Sequence, residues 1–187
     1  MSLTTDLRTA LRIFDENEPA APLRECTDGA EIARELAAVG VRFERWDAET
    51  PIAADADEAA ILAAYKTAVA RVQAEGGYAT VDVLRLAKGT PNIEPLRLKF
   101  LDEHSHSEDE VRFFVEGSGA FYLRLAGNVY QAICVRGDLI SVPAGTRHWF
   151  DMGPDPQFTA LRWFNNQTGW VPQYTGDAIA ARFPRYE

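Results

Sequence analysis

The residues best equipped for chemistry fall in one short constellation: His104-Ser105-His106, then Glu110, then His148 at the end of the turn-like run Pro143-Ala144-Gly145-Thr146-Arg147. Those are all 3 histidines of the 187-residue chain. Three neutral imidazoles and a carboxylate are a ligand set for a divalent transition metal such as Fe, Ni, Mn or Zn, and are too rich in nitrogen for Ca or Mg, which prefer oxygen. Unrelated histidines with ordinary hydrogen bonds are the bland alternative. That alternative needs three coincidences and the spacing besides. Four protein ligands on a six-coordinate ion leave adjacent positions open for a bidentate oxygen ligand or dioxygen, whereas structural zinc is closed and tetrahedral. The set therefore points to an enzyme.

Side chains of a strand alternate faces, so His104, His106, Glu110 and Arg112 share parity and, in a regular strand, one interior. Ser107-Glu108-Asp109 is polar enough to interrupt that strand with a bulge. His148 is 38 residues beyond Glu110 and must arrive from another strand. Arg162 lies within the apolar run Phe158-Thr159-Ala160-Leu161-Arg162-Trp163-Phe164, where a buried cation needs a partner. Arg112 and Arg162 read either as side chains that reach solvent or a nearby carboxylate, or as a clamp for an anionic substrate.

The elements that must position these residues change character along the chain. A strand is predicted around Leu7-Leu11-Ile13-Phe14, followed by a loop at Pro19 and Pro22. Asp28 precedes a helix over Gly29 to Ala38, with Ile32, Leu36 and Val39 at helical spacing and Gly40 as stop. A second helix is expected from about Asp57 to Glu75, carrying Ile61, Leu62, Tyr65, Val69 and Val72 and ending at Gly76-Gly77. Asp82 to Leu86 fits helix or strand. From Leu96 onward the pattern is short β-branched and aromatic runs, with a hairpin turn at Ala126-Gly127-Asn128. The expectation is a mainly β sandwich or barrel in one domain over 1–187. About 1–80 form an N-terminal strand and helical elaboration, about 81–175 the metal-binding barrel, and 176–187 a tail.

A formal charge of −9 and no basic run argue against nucleic acid or an anionic membrane as partner. Cys26 and Cys134 stand apart without a Cys-x-x-Cys spacing, so neither a disulfide framework nor a thiolate zinc site is indicated. No leader-like or membrane-spanning apolar stretch occurs. A soluble cytoplasmic monomer is expected.

The run His104 to Gly117 reads His-x-His-x3-Glu-x6-Gly, and Gly137 to His148 reads Gly-x5-Pro-x-Gly-x2-His. Together they resemble the two cupin motifs, and so imply a jelly-roll β-barrel. Leu98 stands where the first motif usually opens with glycine, and Met152 where the second usually ends with asparagine. The series Glu103-His104-His106, Glu110-Val111-Arg112, Pro143-Ala144-Gly145-x-x-His148-x-Phe150, Arg162-x-Phe164 and Trp170-x-Pro172 resembles, more narrowly, the acireductone dioxygenase family of methionine salvage.

That resemblance implies His104, His106, Glu110 and His148 as ligands of one Fe(II) or Ni(II) per chain. It implies Arg112 and Arg162 facing the substrate anion, and Phe100, Phe150 and Trp170 shaping the pocket, with Glu103 a candidate to orient a ligand imidazole from behind. The implied substrates are dioxygen and the enediol 1,2-dihydroxy-3-oxo-5-(methylthio)pent-1-ene. The implied products are 2-oxo-4-methylthiobutanoate and formate with iron, or 3-methylthiopropanoate, formate and carbon monoxide with nickel. Because cupins host many chemistries, the competing readings are a sugar isomerase or other dioxygenase, and a non-catalytic binder.

Overall fold

In the computed structural model, which describes residues 8–165 and 171–187, the chain begins β1 (Ala10–Asp15), β2 (Arg24–Cys26), α1 (Gly29–Ala37), β3 (Arg42–Arg45), α2 (Glu58–Ala64), α3 (Lys66–Gly76), β4 (Thr80–Leu86) and α4 (Ile93–Leu101). It continues β5 (His104–Ser105), β6 (Glu110–Leu125), β7 (Asn128–Val135), β8 (Asp138–Val142), β9 (Arg147–Asp151), β10 (Phe158–Phe164) and β11 (Gln173–Tyr174), then a 3-10 helix, Ala178–Arg182.

The strands pair antiparallel in two layers, and β6 belongs to both. Its first half, from Glu110, pairs with β8 and β10, and β4 and β3 extend that layer outward. Its second half, from Ser118, pairs with β7 and β9 in the order β11-β5-β9-β6-β7-β1-β2. Between the layers lies an apolar core that includes Phe114, Phe121, Leu123, Ile140, Phe150 and Phe158. This is the mainly β barrel with N-terminal helices that the motifs implied.

The corner between the halves of β6 is Gly117, the last residue of the first motif. Its φ is +66°, and a Cβ there would overlap the Gln157 carbonyl oxygen. Just before it the register on β10 slips between Thr159 and Ala160, leaving Val115 as an extra residue on β6. Such a bulge bends the strand and raises its twist. The β6–β7 hairpin turns on Ala126 and Gly127 alone, both at positive φ (51° and 77°), which is the geometry of a tight two-residue turn. Asn128, expected in the turn, already pairs with Leu125.

The helices follow their caps. Asp28 accepts from the Glu31 N–H at 2.8 Å, Asp57 from the Ala60 N–H at 2.8 Å, and Gly77 closes α3 at φ +67°. The single helix expected from 57 to 75 is two. Tyr65 leaves helical geometry, and its hydroxyl donates to the Ala48 and Thr50 carbonyls while its ring packs edge-on to Phe113. A tertiary anchor overrides local propensity there. The ambiguous 82–86 stretch is strand, in register with β10 over all of β4. The β pattern expected from Leu96 begins only after Leu101; 96–101 belong to α4, whose Ile93, Leu96 and Phe100 recur at helical spacing and pack on the core, leaving Leu98 exposed. No helix among the described residues is long and apolar enough to cross a membrane.

Gly117→Ala is expected to cost about 2–4 kcal/mol of stability, because it adds a backbone overlap to an unfavourable φ. Gly40→Ala, at φ +82° with open space around it, is expected to cost only about 1–2 kcal/mol. Urea unfolding of both variants checks this; equal losses would mean that the close approach to Gln157 plays no part.

Candidate metal centre and active-site cavity

Two short paired strands, a loop and the start of β6 bring the three histidines and Glu110 together. His104 on β5 lies directly opposite His148 on β9, and His148 also faces Leu123 on β6. Glu110 opens β6 opposite Val142 of β8. The chain from His104 to Glu110 is not one regular strand: pairing ends after Ser105 and the backbone bends at 107–108. His106 therefore reaches the site from a loop, which is fixed where the Gly145 N–H donates to the His106 carbonyl at 2.8 Å. Asp109 steadies the same loop pair by accepting from the Ala144 N–H at 2.9 Å.

One ring nitrogen from each of His104, His106 and His148 lies within 4.8 Å of the other two. Glu110 Oε2 stands 2.9 Å from His148 Nε2 and 3.6 Å from His106 Nε2. His104 Nδ1 donates to the Asp102 carbonyl and His148 Nδ1 to the Thr146 carbonyl, each at 2.7 Å. Those bonds assign the proton to Nδ1 and leave the Nε2 lone pairs facing inward. On His148 that lone pair then meets a carboxylate oxygen at 2.9 Å, two acceptors that only a proton or a cation between them reconciles. Donors about 2.1 Å from a common ion and at right angles stand about 3 Å apart, so the spacing suits a metal.

Protonation favours the same use. Burial, reinforced by His148, pushes His104 down to about 4, and burial likewise lowers His106, so both rings are neutral at physiological pH. Burial works to raise the Glu110 carboxyl, but Arg112, His148 and His106 outweigh it and hold the group well below the ordinary range. Neutral imidazoles and an ionised carboxylate are the forms that bind metal. The donor set therefore fits a divalent transition ion.

Beside the histidines runs a row of charges. Arg112 on β6 is the register partner of Arg162 on β10, which is the register partner of Asp82 on β4. Like charges directly opposed are unfavourable, and each arginine here has its own carboxylate. Arg112 Nη2 donates to Glu110 Oε1 at 2.6 Å, and Arg162 donates twice to Asp82, at 2.8 and 2.7 Å. The Arg112 guanidinium lies over Phe150, Phe121 and Phe100 at 4.7, 5.1 and 5.9 Å from their centroids. Its Nε and Nη1 are buried with no hydrogen-bond partner among the described residues. Unsatisfied buried donors of this kind are uncommon, and these two belong to a side chain that lines the cavity, where a ligand oxygen would satisfy them.

The four metal-type residues, both arginines, Phe100 and Phe150 line one cavity of about 220 Å³, to which Lys99, Pro172 and Tyr174 also contribute. A larger groove of about 820 Å³, around Gly117, Met152 and Tyr186, contains none of them. Lys99 and Tyr174 were not singled out from the sequence, since α4 was not foreseen and the two-residue β11 has no local signature. Trp170 lies outside the described residues. Glu103 is not the partner of the His104 or His148 Nδ1 atoms, which bond to backbone carbonyls. As the neighbour of His104 in extended backbone it faces the other way, and there it accepts from Arg124 and Thr175. The role expected of it falls instead to the Asp102 and Thr146 carbonyls.

The model of the ARD/ARD′ family matches residues 10–172. The chain is 55% identical over 179 residues to the acireductone dioxygenase of Parvibaculum lavamentivorans, covering 96% of this chain and 97% of that one. It is 58% identical over 177 residues to the acireductone dioxygenase of a Synechococcus species, covering 94% and 98%. Among solved structures, an acireductone dioxygenase from Bacillus anthracis with a cadmium ion in its active centre superposes with a TM-score of 0.78 at 33% identity, over 90% of this chain and 99% of that one. With the family model spanning most of its length and relatives above half identity end to end, the chain belongs to the ARD/ARD′ family of acireductone dioxygenases.

Proposed function

We propose that this chain acts as an acireductone dioxygenase that uses one Fe(II) or Ni(II), held by His104, His106, Glu110 and His148. The observation that carries this reading is the convergence of three imidazoles and a buried carboxylate on a cavity whose wall holds two arginines. The relatives named acireductone dioxygenase support it. When bound, the ion would supply Lewis acidity toward the oxygens of an enediol.

The residues of the chain do the rest. Arg112 offers its unoccupied Nε and Nη1 donors to a substrate oxygen, and with Arg162 it favours the deprotonated enediol over the neutral one. Glu110 keeps Arg112 aimed through the 2.6 Å bond. Phe100 and Phe150 cover the guanidinium and exclude water, which strengthens each charge interaction inside. Carbon–carbon cleavage with both atoms of dioxygen incorporated gives 2-oxo-4-methylthiobutanoate and formate with iron, or 3-methylthiopropanoate, formate and carbon monoxide with nickel. Nickel binds such a site more tightly than iron, so metal supply selects the product. We read the chain as one domain and a cytoplasmic monomer.

Oxygen uptake and product analysis on acireductone, with apo-protein reloaded anaerobically with either metal, tests the reading. Uptake with both metals and carbon monoxide with nickel alone is expected; stoichiometric metal with no uptake would return the site to other cupin chemistry. His148→Ala is expected to lose metal and activity together, and full metal content by elemental analysis would end its assignment as a ligand. Arg112→Ala should keep metal while kcat/KM falls by about 10²–10³. Unchanged kinetics would leave Arg112 a packing residue.

A further inference from the structure

The cavity wall opposite α4 is the segment 171–177, which supplies Pro172 and Tyr174. Little burial holds it there. Gln173 and Tyr174 pair with Ser105 and His104 through a two-residue strand that is exposed along its length, and Tyr174 keeps 52% of its surface. Only after Asp177 does the chain regain an apolar anchor, as Ile179, Ala180 and Phe183 pack with Phe14, Tyr122 and Trp149. Something polar must fix the segment beside His104.

Arg124, near the end of β6, is placed to do so. Its Nη1 donates to Asp177 Oδ2 at 2.9 Å and to Glu103 Oε2 at 3.3 Å, while its Nε donates to Glu16 Oε2 at 2.9 Å. Glu103 is buried, adjoins His104, and also accepts from Thr175 Oγ1 at 2.8 Å. The Thr175 N–H donates to the Glu103 carbonyl at 3.0 Å. One guanidinium thus joins the residue before a metal-type histidine to the residue that ends the wall segment. The planar fork of arginine suits this bridging in a way a lysine ammonium does not. A lone exposed ion pair contributes little, but this one shares a buried carboxylate, and stranding that group is costly.

We propose that Arg124 is a positioning residue for the reaction: by joining Glu103 to Asp177 it holds segment 171–177, and with it Pro172 and Tyr174, as the wall of the substrate cavity beside His104. It does not itself line the cavity. Tyr174 completes the wall from the far side, its hydroxyl donating to the Lys99 carbonyl at 3.1 Å across the mouth. The substrate part of this inference rests on the acireductone reading; the mechanical part does not.

The test compares Asp177→Asn, Arg124→Met and Glu16→Gln in metal-loaded protein. The first two loosen the wall, so KM for acireductone is expected to rise about tenfold with kcat within about twofold, the pattern of lost uniform binding. Amide hydrogen exchange at 173–175 should speed up alongside. Glu16→Gln removes the partner on the side away from the wall and should move neither. Equal effects of all three variants, or an unchanged KM and exchange rate in Asp177→Asn, would make Arg124 a brace of the fold only. Should Arg124→Met fail to fold, Asp177→Asn decides alone. Should wild-type protein not consume acireductone, the functional reading fails by itself, and exchange at 173–175 still decides whether Arg124 holds the wall.

Discussion

A strand can leave one sheet and enter another without breaking only where its backbone can turn, and in β6 that place is Gly117. The first half of β6 presents Glu110 and Arg112 to the cavity from one layer. The second half lies against β9, so that Leu123 sets the position of His148 in the other layer. Arg124, one residue further, reaches the segment that walls the cavity. Because a single backbone carries all of these, their spacing is fixed by covalent geometry and not by the docking of separate parts. Rigid elements of this kind hold a functional geometry more closely than loops do.

The charges on this strand explain why the cavity is stable with arginines inside it. Across β4, β10 and β6 the order is Asp82, Arg162, Arg112, with Glu110 closing the row from the same strand as Arg112. Two opposed cations would repel, yet each is compensated within hydrogen-bond distance and one is sheltered by three phenyl rings. A buried pair of this sort adds little net stability against an apolar substitute, while the loss of one partner leaves the other charge stranded. Its worth lies in preorganisation. Glu110 already fixes the Arg112 guanidinium in place, so under the proposed function its donors would meet an anion without rearrangement.

The parts legible in sequence were those with a short-range physical signal. Asp28 and Gly77 mark helix ends through caps, Ala126-Gly127 marks a turn, and three histidines with Glu110 stand out by residue type and are brought together in the fold. What sequence did not convey arises from contacts between distant segments. The strand parity that grouped His104 with Glu110 does not describe the bent 106–109 loop, although the residues converge as expected. The carboxylate partner of Arg162 is 80 residues away on a stretch that fitted helix or strand equally. Tyr65 splits a helix because its hydroxyl finds two carbonyls of another loop. Ile93, Leu96 and Phe100 did carry a helical period, and the β-rich sequence after them obscured it.

The arginine row also sets the cavity against the rest of the molecule. The chain carries a formal charge of −9, while Arg112 and Arg162, each paired with a carboxylate, and Lys99, whose charge is not so paired within the cavity lining, gather along one small cavity. A small anion therefore meets repulsion while it is far away and attraction once it is near. Dissolved ions weaken the distant interaction more than the near, partly buried one, since the Debye length is about 10 Å at 0.1 M salt. Capture of an anion by this cavity should accordingly quicken as ionic strength rises from a low value, the reverse of the slowing seen where a protein's overall field steers its ligand inward.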